Sequence, residues 1–363
     1  MSEFVTFGEI MGRIDMPNKK RFRQAFPGSV DFNFAGAEAN VAAFLAFVGR
    51  PVSYVTALPV HEIADACVGH LRNVGIDTGW IVRTAEGRLG SFYVEEGANQ
   101  RPSKVIYDRS HSSISLTPPE AYAWDEIFAG ARWYHFTGIT PALSANAAAV
   151  MLHAAREAKR HGLTVSCDLN FRKNLWRWEP GTAPGALAKR IMTQVLPFVD
   201  ILIGNEEDAA DVLGIKAGTT DVTSGVLEID KYPDVARQIA AQFPNLRKVA
   251  FTLRESISAS HNRWGAMLYN TASGKASFGP LTGGAYKPYE ITDIVDRVGG
   301  GDSFSAALIF ALSSPDLADD ATAVRFAAAA SCLNHSIRGD FNYSTKDEIL
   351  ALMKGDASGR VKR

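Results

Sequence analysis

The chain is poor in the features that would place it outside the ordinary cytosolic proteins. Only three of its 363 residues are cysteine, Cys67, Cys167 and Cys332, far apart and without a C-x-x-C. That number and spacing argue against a disulfide framework and against a zinc centre. Long apolar runs are also missing. The longest, near Val41–Val48 and Ala306–Leu312, fall far short of the roughly 20 residues that a membrane helix needs. Neither sign of charge is in excess, with 38 Lys and Arg against 39 Asp and Glu. The chain therefore carries no electrostatic footprint for nucleic acid or an anionic membrane. Its first residues show no basic stretch leading into an apolar one, so no secretory leader is expected. The expectation is a soluble cytoplasmic protein with no nucleic-acid or membrane partner. The eight histidines form no H-x-x-x-H or H-E-x-x-H, and no local motif brings a nucleophile and a base together.

What is present is ordinary globular material. Hydrophobic residues at 46% and charged residues at 21% exclude a disordered chain. Short apolar runs at Phe4–Ile10, Val52–Leu58, Trp133–Phe136, Leu163–Leu169, Asp200–Ile203 and Lys248–Leu253 read as strands. Between and after them, helices are expected at Ala37–Val48, Ile63–Val74, Ala145–Arg160, Ala186–Val195, Glu206–Leu213, Asp234–Gln242, Ser303–Leu312, Ala321–His335 and Lys346–Met353. Strands alternating with helices imply an α/β fold with a mostly parallel sheet covered on both faces, a three-layer arrangement. Two stretches differ. Ser29–Ala35 alternates with period two, with Val30, Phe32 and Phe34 on one face, and Arg88–Glu95 with Lys104–Arg109 reads as a hairpin. These define a small discontinuous β lid, residues 12–35 and 88–115. Residues 1–11, 36–87 and 116–363 form the large domain. The lid is expected over the crevice at the strand ends, where open α/β sheets bind ligands.

The densest chemical signal is Asp296-Arg297-Val298-Gly299-Gly300-Gly301-Asp302-Ser303-Phe304. Glycines leave backbone N–H groups unshielded, and a helix start adds orphan donors with partial positive charge. Together they can cradle a phosphate. Asp302 beside the cradle could accept the proton of an attacking hydroxyl, the second part that phosphoryl transfer needs. The plain alternative is a glycine-rich turn with Asp302 as a helix cap.

This segment resembles the C-terminal signature of the ribokinase/PfkB family of carbohydrate kinases, D-T-x-G-A-G-D, with Arg297 at the usual Thr and Gly300 at the usual Ala. The likeness extends along the chain. Phe7-Gly8-Glu9 resembles the family's opening strand, and Ala35-Gly36-Ala37-Glu38-Ala39-Asn40-Val41-Ala42 its G-G-x-x-x-N-x-A. Asn205-Glu206-Glu207-Asp208 stands where N-x-x-E is usual. Thr252-Leu253-Arg254-Glu255-Ser256 departs from T-x-G-x-x-G, with Arg254 in place of a glycine. Within the family the likeness is greatest to kinases of 2-keto-3-deoxygluconate. It rests on Gly36 to Asn40, on Arg88–Tyr93 with Tyr107-Asp108-Arg109, and on Cys167-Asp168-Leu169-Asn170-Phe171-Arg172 followed by Leu175-Trp176.

The resemblance implies a ribokinase-like fold and phosphorylation of the primary hydroxyl of a sugar acid by ATP with Mg2+. Asp302 would be the base, and the amides of Gly299, Gly300 and Gly301 would steady the transferring phosphoryl group. Gly36, Ala37, Glu38, Ala39 and Asn40 would hold the sugar, with Tyr93, Tyr107 and Arg109 closing from the lid. Arg109 and Arg172 would grip the carboxylate, which suits a planar guanidinium. Asn170, Asn205, Thr252, Arg254 and Asn334 would face the nucleotide. Asp208 would order the metal through water, and Lys287 and Asp293 would bear on a monovalent-cation site. A homodimer through the lid is implied as well. A neutral-sugar kinase, and a sugar-binding regulator that has lost catalysis, remain open readings.

Overall fold

The computed structural model describes residues 2–215 and 229–356. Apolar runs stopped by turn residues give the strands β1 (Phe4–Phe7), β2 (Met11–Asp15), β3 (Asp31–Ala35), β4 (Val52–Pro59), β5 (Ile81–Thr84), β6 (Gly90–Glu95) and β7 (Lys104–Asp108). There follow β8 (Trp133–Thr137), β9 (Thr164–Asp168), β10 (Ile201–Gly204), β11 (Lys248–Ser258), β12 (His261–Asn270) and β13 (Lys275–Gly279). Three short strands complete the set: β14 (Leu281–Thr282), β15 (Ala285–Tyr286) and β16 (Tyr289–Ile291).

The large sheet runs β13-β12-β11-β10-β9-β8-β1-β4-β5, with β16 added to β12. From β11 to β5 every neighbour is parallel, whereas β12 and β13 return antiparallel. All residues of β1, β4, β8 and β10 are buried, as expected of parallel strands covered on both faces. One face packs against helices Ala145–Arg160, Pro184–Val195 and Tyr232–Gln242. The other packs against Ala37–Phe47, Glu62–Asn73, Gly300–Leu312 and Asp320–Asn334. The last two are rich in alanine, which lets them lie close. Helix starts carry the side-chain caps their sequences offer. Ser144 accepts from Ala147 N, Asp319 accepts from Thr322 N, and Thr345 forms a capping box with Glu348.

A separate four-stranded sheet has the order β3-β2-β6-β7. Its β6–β7 pair is the expected hairpin, and β2 joins β6 in parallel. Several features depart from expectation. Strands β5, β12, β13 and the short β14 to β16 were not anticipated; β12 is buried almost throughout and so shows no alternation to read. The segment expected as one helix from Glu206 begins as α and passes into a π-helical stretch over Ala209–Leu213, ended by Gly214 at φ +74°.

Candidate functional site

Strands β9, β10 and β11 end at one edge of the sheet, and the Gly300–Leu312 helix points its first turn at that edge. Between them lies a cavity lined by Asp168, Asn170, Arg172, Asn205, Asp208, Thr252, Arg254, Trp264, Arg297 and Gly299 to Asp302. Gly299 has φ +81°, and a Cβ there would sit 2.6 Å from the backbone oxygen of Asp340. Glycine is therefore demanded at this turn. A Cβ on Gly301, in contrast, would meet nothing within 4 Å. The helix start thus presents bare backbone to open space, the condition for close approach of a phosphate.

A second cavity lies under the small sheet, lined by Glu9, Met11, Ala35, Gly36, Ala37, Asn40, Phe92, Tyr107, Arg109, Ile139 and Asp340. Asn170, Arg172 and Asp302 line both cavities. Asp302 stands at the junction. Its Oδ2 accepts from Asn40 Nδ2 at 2.7 Å. Among the described residues no hydrogen bond to its other oxygen is found. Burial pushes the Asp302 pKa up, opposed by the Asn40 hydrogen bond and the nearby Arg172 charge. Gly36 is required here too, because a Cβ would lie 2.1 Å from Glu9 O.

Several expected residues sit elsewhere. Glu38 and Ala39 line neither cavity. Glu38 is buried beneath Gly8, accepting from Thr137 N, Thr137 Oγ1 and Thr140 Oγ1, and its pKa is pushed up to about 7, chiefly by burial. Ala39 belongs to the core. Tyr93 packs on the far face of the small sheet against Ile14 and Met16, and its neighbour Phe92 faces the cavity. Successive residues of a strand alternate faces, so an error of one position inverts the assignment. Arg109 does line the cavity, but its guanidinium is paired with Glu9 and lies over the Tyr107 ring. The two hydrogens of the Asn40 amide go to Asp302 and, at 3.3 Å, to Asp340. Asn334 is fully buried and donates to Val298 O, supporting the glycine loop from behind. Lys287 and Asp293 are exposed and line neither cavity.

The residues expected on the nucleotide side come together: Asn170, Asn205, Thr252 and Arg254 share the first cavity. Asp208 caps the loops around it, accepting from Phe171 N at 3.0 Å and Asn205 N at 3.2 Å. Burial pushes Asp208 up to about 6 and Asp168 up to about 7. Among the described residues, the only group of three metal-ligating side chains is the partly exposed cluster of Asp125, Glu157 and His161. These are remote from both cavities, and Arg160 already pairs with the two carboxylates. The acids of the first cavity therefore fit a metal ion held mainly by phosphate and water, as Mg2+ commonly is.

Four further residues are given no role from the sequence. Asp168 ends a buried strand at the crevice, a signal that could have found it. Glu9 follows the first strand, and its Oε1 is buried without a partner. Trp264 lies on the unforeseen β12. Arg13 left no local signal: it is fully buried on β2, and its guanidinium meets Asp15 of its own strand, Asp296 at the head of the glycine loop, and Asp340.

A helix start bare of side chains, a carboxylate placed between two cavities, and strand ends opening on both define a small-molecule phosphotransferase of α/β architecture. The chain belongs to the pfkB family of carbohydrate kinases, whose model matches residues 1–253. It is 30% identical over 359 residues to a 2-dehydro-3-deoxygalactonokinase of Haloferax volcanii, covering 99% of this chain and 98% of that one. Its fold is similar to that of a 2-dehydro-3-deoxygluconokinase from Thermotoga maritima, with TM-score 0.87, 43% identity, and 98% and 100% of the two chains covered. A fructokinase from Xylella fastidiosa with bound ATP shares the fold at TM-score 0.72 and 19% identity, covering 98% and 99%.

Proposed function

We propose that this kinase phosphorylates the primary hydroxyl of a 2-keto-3-deoxy sugar acid, most simply 2-keto-3-deoxygluconate to its 6-phosphate, with ATP and Mg2+. The observation that carries the reading is the sharing of Asp302, Asn170 and Arg172 by the two cavities. Sugar binds under the small sheet, and the phosphoryl donor binds against the glycine loop. Asp302 stands where the two ligands meet.

Bound MgATP supplies the phosphoryl group and neutralises part of its charge. The chain's residues do the rest. Asp302 takes the hydroxyl proton as the sugar oxygen bonds to phosphorus and the bond to the ADP oxygen breaks. Amides of Gly299 to Gly301 receive the charge of the transferring group. Asn40 holds Asp302 by its amide. The small sheet acts as a lid that excludes water, bringing Phe92 and Tyr107 over the sugar. Glu9 Oε1, buried and unpartnered, accepts from a sugar hydroxyl. Arg172 lines the sugar cavity and makes no ion pair within 4 Å among the described residues, its charge reaching Asp302, Asp168 and Asp208 only from further off, and it takes the substrate carboxylate. The names of the Haloferax and Thermotoga relatives, which differ at one hydroxyl, support a keto-sugar acid and leave its epimer to experiment. Two copies pair through the small sheet, a reading supported by the half-exposed Phe32 beside Phe34; sedimentation of the intact chain tests it.

One observation favours a neutral sugar instead: the charge of Arg109, expected on the carboxylate, is already met by Glu9. Coupled ADP release with MgATP against the two 2-keto-3-deoxy acids, fructose and ribose decides. Preference for an acid, lost when Arg172→Ala raises its KM roughly tenfold or more, is the expected result. Preference for fructose or ribose overturns the substrate.

A further inference from the structure

Two arginines that depart from the family's signatures meet in space. Arg254 of β11 stands opposite Trp264 of β12 in the antiparallel register, so their side chains share a face. Thr252, two residues earlier, shares that face as well. Arg297 approaches the same wall from the glycine loop, and its Nη2 donates to Asn262 Oδ1 of β12 at 3.0 Å. Thr252, Arg254, Trp264 and Arg297 all line the first cavity. Among the described residues no carboxylate pairs with either guanidinium. Burial, and then the charge of Arg254, push the Arg297 pKa down. Like charges set together beside a buried wall are costly unless an anion joins them. A second, independent feature points the same way. Trp264 is 4% exposed, and its Nε1 has no hydrogen-bond partner. It is a buried N–H donor on a cavity wall, awaiting an acceptor.

Strand order separates this wall from the acids. Asp168 ends β9 and Asp208 closes the short helical turn after β10, whereas Arg254 and Trp264 lie on β11 and β12. The β11–β12 side of the cavity thus offers hydrogen-bond donors and positive charge with no carboxylate among its lining residues, whereas Asp168 and Asp208 share the other side with Arg172. Planar guanidinium groups match phosphate oxygens in pairs.

We propose that Arg254 and Arg297 form a two-guanidinium grip on the phosphate chain of the phosphoryl donor, so that this site binds an inorganic polyphosphate chain as a ligand in its own right. The proposal rests on the kinase reading above and adds the residues by which the phosphoryl donor is held.

The test is isothermal titration of the intact chain with inorganic tripolyphosphate and Mg2+, without sugar. Wild type binds it. Arg254→Ala and Arg297→Ala each weaken binding roughly 10- to 100-fold, the range for losing charge-assisted hydrogen bonds. The corresponding lysine variants recover part of the loss, since charge returns without the fork. In turnover, the KM for ATP rises by a similar factor while the KM for the sugar stays constant. Tripolyphosphate affinity unchanged in the double alanine variant overturns the grip. So does wild type that binds ATP but no tripolyphosphate. Equal loss on both substrates with a fallen melting temperature signals structural damage and also counts against it. The titration needs no sugar, so its outcome does not depend on which sugar the enzyme accepts.

Discussion

At the scale of single residues, Asp302 is the sharpest case. It combines a carboxylate at the junction of two cavities with one oxygen oriented by Asn40. Replacing it by asparagine keeps size and hydrogen bonding but removes the carboxylate proposed as the base. Turnover should fall ~100-fold or more, the usual contribution of a positioned base, while titration with MgATP shows binding within a few-fold. Turnover within about tenfold of wild type would remove Asp302 from the role. The pH profile gives a second check. Burial raises the Asp302 pKa, and the base works only when ionised. The acid limb of kcat/KM should therefore lie above the ordinary aspartate range, with the rate falling as pH drops through it. Asp302 was legible in the sequence because its neighbours in space, the glycines, are also its neighbours in the chain. Glu38 sat in an equally recognisable motif, yet its side chain turns under Gly8. A motif marks a segment, and only the direction of each side chain shows which of its residues meet the ligand.

At the scale of elements, the Gly299–Gly301 turn separates folding from function. Gly299 needs a left-handed backbone and has no room for a Cβ, so Gly299→Ala should cost at least ~1–2 kcal/mol and lower the melting temperature along with activity. Gly301 has room and a helical backbone in the first turn, where alanine lowers the entropy of the unfolded chain and gains about 0.4–1 kcal/mol. Gly301→Ala should therefore match or exceed wild-type stability while impairing turnover, because its methyl projects where phosphate must approach. Thermal melts paired with steady-state rates check this, and equal activity in Gly301→Ala would sink the cradle. The same scale shows what sequence could deliver. The Ala145–Arg160 and Lys346–Met353 helices fell where they were expected, each opened by a side-chain cap, Ser144 and Thr345. Parity failed on β6, where Tyr93 was expected inward and Phe92 is, because alternation gives two faces without saying which is the inner one. Strand β12 failed because burial on both sides erases the alternation altogether, and with it went Trp264.

At the scale of the whole molecule, the small sheet is tied to the large one through Arg13. Its guanidinium joins Asp15 of β2 to Asp296 and Asp340, carboxylates drawn from widely separated parts of the chain. The knot continues from Asp340 through Asn40 to Asp302, so the small sheet and Asp302 share one buried network. Nothing in the sequence could announce it, since one arginine on a lid strand reads as a solvated charge until the fold surrounds it. Removing the arginine leaves three buried carboxylates facing one another. Breaking such a cluster typically costs 3–5 kcal/mol, so Arg13→Met should destabilise the chain by about that much at pH 8 and raise the KM for the sugar. The sign of the pH effect follows from Asp340, whose pKa is pushed up to about 6 by burial, against the pull of Arg13. Its folded value exceeds the ordinary one, so its contribution to stability is full below about pH 4 and is lost as pH rises through 6. Without Arg13 that value climbs further, and more of the loss falls at neutral pH and above. The gap between Arg13→Met and wild type in urea denaturation should accordingly be small at pH 5 and large at pH 8. A gap equal at both would mean that the carboxylates are not what Arg13 restrains.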